Sequence, residues 1–249
     1  MNWRIHHKEE TVSTNLDARV GSHGDVFTAD YQTAGRGRLD HKWLSPPGTN
    51  LMMSVVLSVE GLSPEHVSTL PLVVGLAVTW ALNGQDARSP GWGAGSGERA
   101  SCPFAMLKWP NDVLVGGKKL AGILCERSGD NVIAGIGVNV RQTEFPIEIL
   151  ERATSLALNG RDARSPGEVR DTILDELDKW YAIWRTGGFA GVYQEIAAVD
   201  FLKGREISVR QTDDDSAPIV GVSNGIMPDG SLDVGGKKVY AGEAHVERI

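Results

Sequence analysis

The pattern of the chain changes near residue 200, and this change sets the main limit on its fold. Beyond that point the sequence consists of short β-like runs separated by glycine dipeptides, namely Asn224-Gly225, Asp229-Gly230 and Gly235-Gly236. Such dipeptides favour tight turns between strands. We therefore predict a small all-β unit over residues 201–249, an SH3-like barrel, after a main domain of mixed α and β structure over residues 1–200.

Within the main domain, hydrophobic spacing separates strands from helices. Residues 68–83 and 168–185 show the 3.6-residue period of helices, and Pro71 is tolerable only in a first helical turn. Thr14 followed by Asp17 fits the capping pattern of a further helix start. Runs rich in β-branched or apolar residues predict strands over 51–59, 104–109, 120–126 and 132–140.

A decapeptide occurs twice, as LNGQDARSPG at 82–91 and LNGRDARSPG at 158–167. Its low hydrophobicity makes it a poor structural repeat. The first copy opens a Gly/Ser-rich tract, which we interpret as a surface insertion over about 84–103.

Charge and composition exclude several classes of protein. The net charge of −7 argues against DNA held by bulk charge. No stretch is expected to reach the apolar length of a membrane span, and the N-terminus has no apolar export region, so a cytoplasmic location without membrane contact is expected. Cys102 and Cys125 lack metal-ligand spacing, a lone disulfide is not expected in a reducing compartment, and the six scattered histidines show no zinc pattern.

The stretch TAGRGRLDHKW, from Thr33 to Trp43, places three cations on a glycine-rich loop of an acidic chain. The simplest interpretation is that this loop binds an anion. Its glycines, Gly35 and Gly37, allow the backbone to approach a ligand closely.

Four segments stand apart from the scaffold: STN at 13–15, YQTAGRGRLDHKW at 31–43, KWPNDVLVGGKKLAGILCE at 108–126 and GIGVNV at 135–140. Taken together and in this order, they resemble the biotin–protein ligases, and the resemblance covers nearly the whole chain. Any one of these motifs alone would be a weak signal.

The resemblance implies an ATP- and Mg²⁺-dependent enzyme that converts biotin to biotinoyl-5′-AMP. It also implies transfer of the biotinoyl group to a lysine of a carrier domain in acetyl-CoA carboxylase or a related carboxylase. The implied fold is α+β, with a mixed sheet and helices like those of class II aminoacyl-tRNA synthetases, followed by the SH3-like unit.

Electrostatics supports a cationic catalytic site. Two unit negative charges ~4 Å apart repel by about 4 kcal/mol at an effective dielectric constant near 20. The biotin carboxylate must approach the ATP α-phosphate, so fixed cations must offset this repulsion. Arg36, Arg38 and Lys119 are the candidates, because Arg offers a planar fork and Lys a movable charge. Alternation along a strand would send the neighbouring Lys118 to the opposite face.

For biotin, the resemblance implies contacts from Ser13, Thr14, Asn15, Gln32, Gly35, Arg36, Gly37, Arg38 and Lys119. The biotin ureido ring has one acceptor and two donors, which hydroxyl and amide side chains can match. Without the resemblance, Ser13 and Thr14 would be interpreted as helix caps.

For ATP, the resemblance implies Arg36, Arg38, Trp43, Lys108, Asn111, Asp112 and Asn139. Asp112 is predicted to act with Arg38 and Lys119 in catalysis and to help hold Mg²⁺, which is commonly bound through carboxylates and phosphates; the alternative is a turn former. Trp43 is either a loop anchor or a stacking surface, and Phe145 is left unassigned.

Only twelve residues precede Ser13, so we expect a monofunctional ligase without DNA binding, as a monomer or homodimer. Three alternatives remain: a lipoate–protein ligase of the same superfamily, a non-catalytic biotin sensor, and an unrelated nucleotidyl transferase.

Overall fold

A computed structural model describes residues 1–39, 41–84, 103–161, 164–211 and 217–246. The insertion expected over 84–103 lies outside these ranges apart from its two end residues. Cys102 also lies outside them.

A seven-stranded mixed sheet forms the centre of the main domain. Its order is β1-β2-β3-β7-β6-β5-β4, with β1 and β2 parallel and the other neighbours antiparallel. The four strands predicted from the sequence are confirmed, whereas β1, β2 and β5 were not predicted. The strands are β1 Arg4–Thr11, β2 Asp25–Gln32, β3 Leu51–Ser58, β4 Met106–Lys108, β5 Asp112–Val115, β6 Lys118–Ser128 and β7 Asn131–Val138.

Two long helices pack on this sheet, and both predicted helices are confirmed. The apolar stripe of the longer one is buried throughout, and Pro71 lies in the first turn of the other. The helices are α1 Thr14–Asp17, α2 Pro64–Ser68, α3 Leu70–Asn83, α4 Pro166–Gly187 and α5 Tyr193–Ala198. The buried stripe of α4 consists of Val169, Ile173, Leu177, Trp180, Tyr181 and Trp184.

Residues 64–83 reach the length and hydropathy of a membrane span, contrary to the expectation that no such stretch exists. However, 67% of this window is buried inside the fold. Its apolar side chains belong to the same core as those of α4, which accounts for the hydropathy of a helix that is apolar on nearly all sides.

The predicted capping pattern at Thr14 is wrong in its details. Ser13, not Thr14, occupies the N-cap position of α1, and its side chain makes no capping hydrogen bond. Thr14 and Asp17 instead bond to neighbouring strands and loops: Asp17 accepts from Thr11 and Lys8, each at 2.8 Å. Tertiary partners therefore replaced the local cap.

A complete capping box begins α4, within the second decapeptide. The Ser165 hydroxyl accepts from the Glu168 N–H, and the Glu168 carboxylate accepts from the Ser165 N–H.

Loss of an N-cap hydroxyl costs about 1 kcal/mol. We expect Ser165→Ala to lower the free energy of unfolding by about this amount, measured by urea denaturation, and Ser128→Ala at the end of β6 to serve as a near-neutral control. An equal loss in both variants would contradict the role of the cap.

The C-terminal unit is a five-stranded antiparallel sheet of order β11-β10-β9-β8-β12, and the predicted fold class is confirmed. The turn predicted at Asn224-Gly225 is wrong, because this dipeptide lies inside β9. The pairing of β9 with β10 shifts register there, and Gly225 adopts a φ of +102°. Both features are typical of a β-bulge. The strands are β8 Glu206–Arg210, β9 Ile219–Ile226, β10 Leu232–Val234, β11 Lys237–Val239 and β12 Glu243–Val246.

The junction between the two sheets is itself hydrogen-bonded to the main sheet. Leu107 in β4 accepts from the Phe201 N–H and donates to the Val199 carbonyl, both at 2.8 Å. The Asp200 carboxylate accepts from the Leu202 and Ile226 N–H groups. Burial raises the pKa of the Asp200 carboxyl, although these hydrogen bonds oppose the rise. The junction thus ties the small sheet firmly to the edge of the large one.

Candidate active site

An open cleft is lined by β3, β6, β7 and the glycine-rich loop. It brings together most of the residues predicted for the site, from three separate parts of the sequence. These are Ser13, Thr14, Asn15, Gln32, Arg36, Gly37, Arg38, Trp43, Asn111 and Lys119. Their assigned roles remain predictions.

One part of the cleft holds neutral hydrogen-bonding groups. The Gln32 Oε1 atom accepts from the Thr14 N–H at 2.8 Å, which turns the Gln32 amide nitrogen away from Thr14. Thr14 and Ser13 are almost completely buried. A ligand that reaches these groups must therefore satisfy them with its own donors and acceptors.

Asn15 lies flat against β7 because Gly135 has no side chain. A Cβ atom at Gly135 would lie 2.3 Å from Asn15 Oδ1. The Asn15 side chain contacts the Ser54 hydroxyl at 2.6 Å and donates to Glu126 Oε2 at 2.7 Å. Ser54 and Glu126 were not predicted for the site: Ser54 lies in an apolar strand outside the quoted segments, and Glu126 is the last residue of the segment 108–126 but was given no role.

The two arginines of the loop have different partners. Arg36 donates to Glu126 Oε1 at 3.0 Å, so its charge is matched by a carboxylate. Arg38 donates to Asn111 Oδ1 at 3.2 Å and to the Gly242 carbonyl at 3.3 Å. Both of these described partners of Arg38 are neutral oxygens, so its charge is better placed than that of Arg36 to meet an anion.

A pair of glycines forms a flat platform beneath Trp43. Gly122 and Gly137 are opposite each other on β6 and β7, and Cβ atoms there would lie 3.2 Å and 2.5 Å from the indole. Trp43 Nε1 is buried and has no hydrogen-bond partner among the residues that the structure describes. Trp43 therefore packs closely on these two glycines, which supports its role as an anchor of the loop.

Lys119 lies at the same edge of this platform, with its Nζ atom 6.0 Å from the Trp43 ring centroid and 2.6 Å from Asp112 Oδ1. Within the described part of the chain, no donor is aligned for a hydrogen bond to that oxygen, so the pair is a close charge contact. Lys118 is exposed, in agreement with the predicted alternation.

Four predicted residues are not among those lining this cleft: Gly35, Lys108, Asp112 and Asn139. Asp112 lies beside it, in contact with Lys119. Gly35 lines a second cleft on the other side of the loop, together with Phe145. Asn139 Nδ2 donates to the Thr154 carbonyl at 2.9 Å, a structural contact. Burial lowers the pKa of Lys108, although Asp112 acts in the opposite direction.

Part of the cleft was missed because it is made of backbone and apolar surface. None of its residues was predicted for the site. They are Met52, Met53, Gly122, Ile123, Leu124, Gly135, Ile136 and Gly137. The signal available in the sequence was the alternation of Gly135 and Gly137, which places two glycines on one face of a strand.

The profile of the biotin/lipoate A/B protein ligase family matches residues 7–142. A biotin–[acetyl-CoA-carboxylase] ligase from Mycobacterium tuberculosis is 33% identical over 248 residues, covering 96% of this chain and 87% of that protein. A bifunctional ligase/repressor from Bacillus subtilis is also 33% identical, and the match spans about half of its length (49%).

Solved structures give the same picture. The biotin protein ligase from Aquifex aeolicus in complex with biotin and ATP has a TM-score of 0.79 and 30% identity, over 98% of this chain and 99% of that one. The Leishmania major enzyme in complex with biotinyl-5-AMP has a TM-score of 0.64 and 27% identity, over 98% of both chains.

Proposed function

Since the chain belongs to the biotin protein ligases of the biotin/lipoate A/B protein ligase family, we propose that it activates biotin with ATP and transfers the biotinoyl group to a carrier protein. Biotin carboxylate attacks the α-phosphate of ATP, pyrophosphate leaves, and biotinoyl-5′-AMP results. The ε-amine of a carrier lysine then attacks the acyl carbon and AMP leaves. The natural acceptor proposed is the biotin carrier domain of acetyl-CoA carboxylase, at a cytoplasmic location.

The arrangement of neutral and cationic groups along β7 carries this proposal. Gly135 lies beside the neutral group at Asn15, and Gly137, two residues further on the same face, lies beneath Trp43. Gly122, which pairs with Gly137 on β6, lies close to Lys119. A molecule with a polar, uncharged head and a carboxylate tail fits such a path. Arg38 and Lys119 then lie where the carboxylate and α-phosphate must meet, and offset their repulsion.

Asp112 is the residue proposed to hold Mg²⁺. Its Oδ1 atom lies 2.6 Å from Nζ of Lys119, a residue that lines the cleft, and a single carboxylate suffices when phosphates and water supply the other ligands. The described residues contain no cluster of three His, Cys, Asp or Glu side chains for a metal, which also favours an ion that arrives with the nucleotide. When bound, the ion supplies charge neutralisation on the phosphates.

Mass spectrometry of the purified protein with biotin and MgATP tests the function. We expect bound biotinoyl-AMP, and biotinylation of a carrier domain added afterwards. Biotin bound without adenylate would instead indicate a sensor. Binding of lipoate in preference to biotin would indicate the lipoate branch of the superfamily.

A glycine substitution tests whether the head group binds beside Asn15. We expect Gly135→Ala to weaken biotin binding by roughly one to two orders of magnitude, since such overpacking costs about 1–3 kcal/mol. Titration calorimetry measures this change. Gly187→Ala is the matched control, because a Cβ there has nothing within 4 Å. Unchanged affinity in Gly135→Ala would mean that biotin does not depend on the position of Asn15.

A further inference from the structure

Two residues outside the predicted site, Ser54 and Glu126, are connected to Thr14 through a chain of short contacts. Glu126 Oε2 accepts from Asn15 Nδ2 at 2.7 Å. Ser54 Oγ lies 2.6 Å from Asn15 Oδ1 and 2.7 Å from Thr14 Oγ1. Ser54 is completely buried, so no solvent can alter how its single hydroxyl proton is used.

The direction of each hydrogen bond that connects Glu126, Asn15, Ser54 and Thr14 follows from the number of protons that each group can donate. A carboxylate only accepts, so the amide nitrogen of Asn15 must face Glu126, and Asn15 Oδ1 must face Ser54. An amide oxygen cannot donate, so the Ser54 proton points to Asn15. The short contact between Ser54 and Thr14 then requires that the Thr14 hydroxyl donate its proton to Ser54.

The Thr14 hydroxyl, at the end of this series of hydrogen bonds, can act only as an acceptor towards a ligand. The Thr14 proton is committed to Ser54, so the longer 3.2 Å contact from Thr14 Oγ1 to Gln32 Oε1 lacks a proton. Thr14 Oγ1 can therefore offer a ligand only lone pairs. Gln32 Oε1 already accepts from the Thr14 N–H, which leaves Gln32 Nε2 as a donor.

We propose that Ser54 and Glu126 are positioning residues that determine head-group specificity, because they fix Thr14 as an acceptor for a ligand N–H group. This inference rests on the proposed biotin ligase function. A ureido ring presents an N–H beside a carbonyl, which matches an acceptor at Thr14 and a donor at Gln32. A dithiolane ring offers no N–H donor and leaves Thr14 unsatisfied, and buried polar groups left unpaired discriminate strongly.

Glu126 also connects this specificity to the glycine-rich loop. Its second oxygen accepts from Arg36, so one carboxylate holds both the loop and the amide of Asn15. A change at Glu126 therefore frees Asn15 to turn over, which releases the proton of Ser54 and then that of Thr14.

The test compares biotin with its two cyclic carbamate analogues, in each of which one ureido N–H is replaced by oxygen. By titration calorimetry, we expect the wild-type protein to bind one analogue roughly tenfold to a hundredfold more weakly than biotin. In Ser54→Ala the Thr14 hydroxyl is free to donate. We expect about tenfold weaker biotin binding and a discrimination between biotin and that analogue reduced to about threefold or less.

A buried serine of the small sheet provides the control. Ser223 is also nearly fully buried, and Ser223→Ala should leave discrimination unchanged. If Ser54→Ala weakens biotin and both analogues by the same factor, Ser54 only supports packing and the inference is overturned.

A second variant covers the case in which Ser54→Ala does not fold. Glu126 is partly exposed, and Glu126→Gln keeps its shape while allowing Asn15 to reverse. We expect discrimination to fall at least about threefold, with the urea midpoint preserved; unchanged discrimination in this variant would also overturn the inference. A wild-type protein that binds no biotin would instead refute the proposed function.

Discussion

Replacing Arg38 with alanine is expected to slow biotinoyl-AMP formation by roughly a hundredfold to a thousandfold, the usual effect of removing a fixed donor from a developing charge. Arg38 bonds only to neutral oxygens among its described partners, so its charge is available to the carboxylate and the α-phosphate. Retention of the adenylate should fall as well. The measurement is the rate of pyrophosphate release at saturating biotin and MgATP.

The fold should survive this change, because Arg38 is only partly buried and lies on a loop. Arg127→Ala is the matched control: Arg127 is an exposed arginine of β6 that bonds to the Gly129 carbonyl. Normal turnover by Arg38→Ala would mean that the loop has been assigned the wrong role.

Lys119→Ala is expected to have an effect of similar size, roughly a hundredfold or more on adenylation. The variant removes a cation from the platform edge and leaves the buried Asp112 oxygen without its nearby charge. Arginine at this position should not restore activity fully, since a planar fork does not replace a compact ammonium group. Initial rates over a range of biotin concentrations would separate binding from chemistry.

Lys118→Ala is the matched control for this prediction. Lys118 is the adjacent residue of the same strand but is exposed on the other face, so its loss should change the rate less than about twofold, as expected for an exposed charge. Equal effects of the two substitutions would remove the reason for choosing Lys119.

The sequence predicted the fold best where hydrophobic spacing was strong. The stripe of α4 and the β-branched runs of β3 and β7 carry enough apolar surface to decide their own structure. Local capping at Thr14 and the turn at Asn224-Gly225 were predicted wrongly, because in each case a tertiary partner outweighed a local preference. Thr14 bonds to Gln32, and Gly225 packs close to the buried Asp200 carboxylate.

The charged and amide residues of the site were predictable because they occur in dense motifs. Ser54 was not, since a single serine in an apolar strand has the same appearance whether it faces core or ligand. Its importance depends on its register: it pairs with Gly135 across β3 and β7, and no pattern within one strand contains that information.

The paired glycines beneath Trp43 also affect how this protein would tolerate variation. In a saturation mutagenesis survey, positions that tolerate no substitution are ordinarily interpreted as those whose side chains bind ligand or take part in catalysis. At Gly122, Gly135 and Gly137 the selected property is the absence of a side chain, because Cβ atoms there would press on Lys119, Asn15 and Trp43. We expect these positions to rank among the least replaceable of the chain although they carry no reactive group. The cleft therefore depends on positions where any side chain would be in the way.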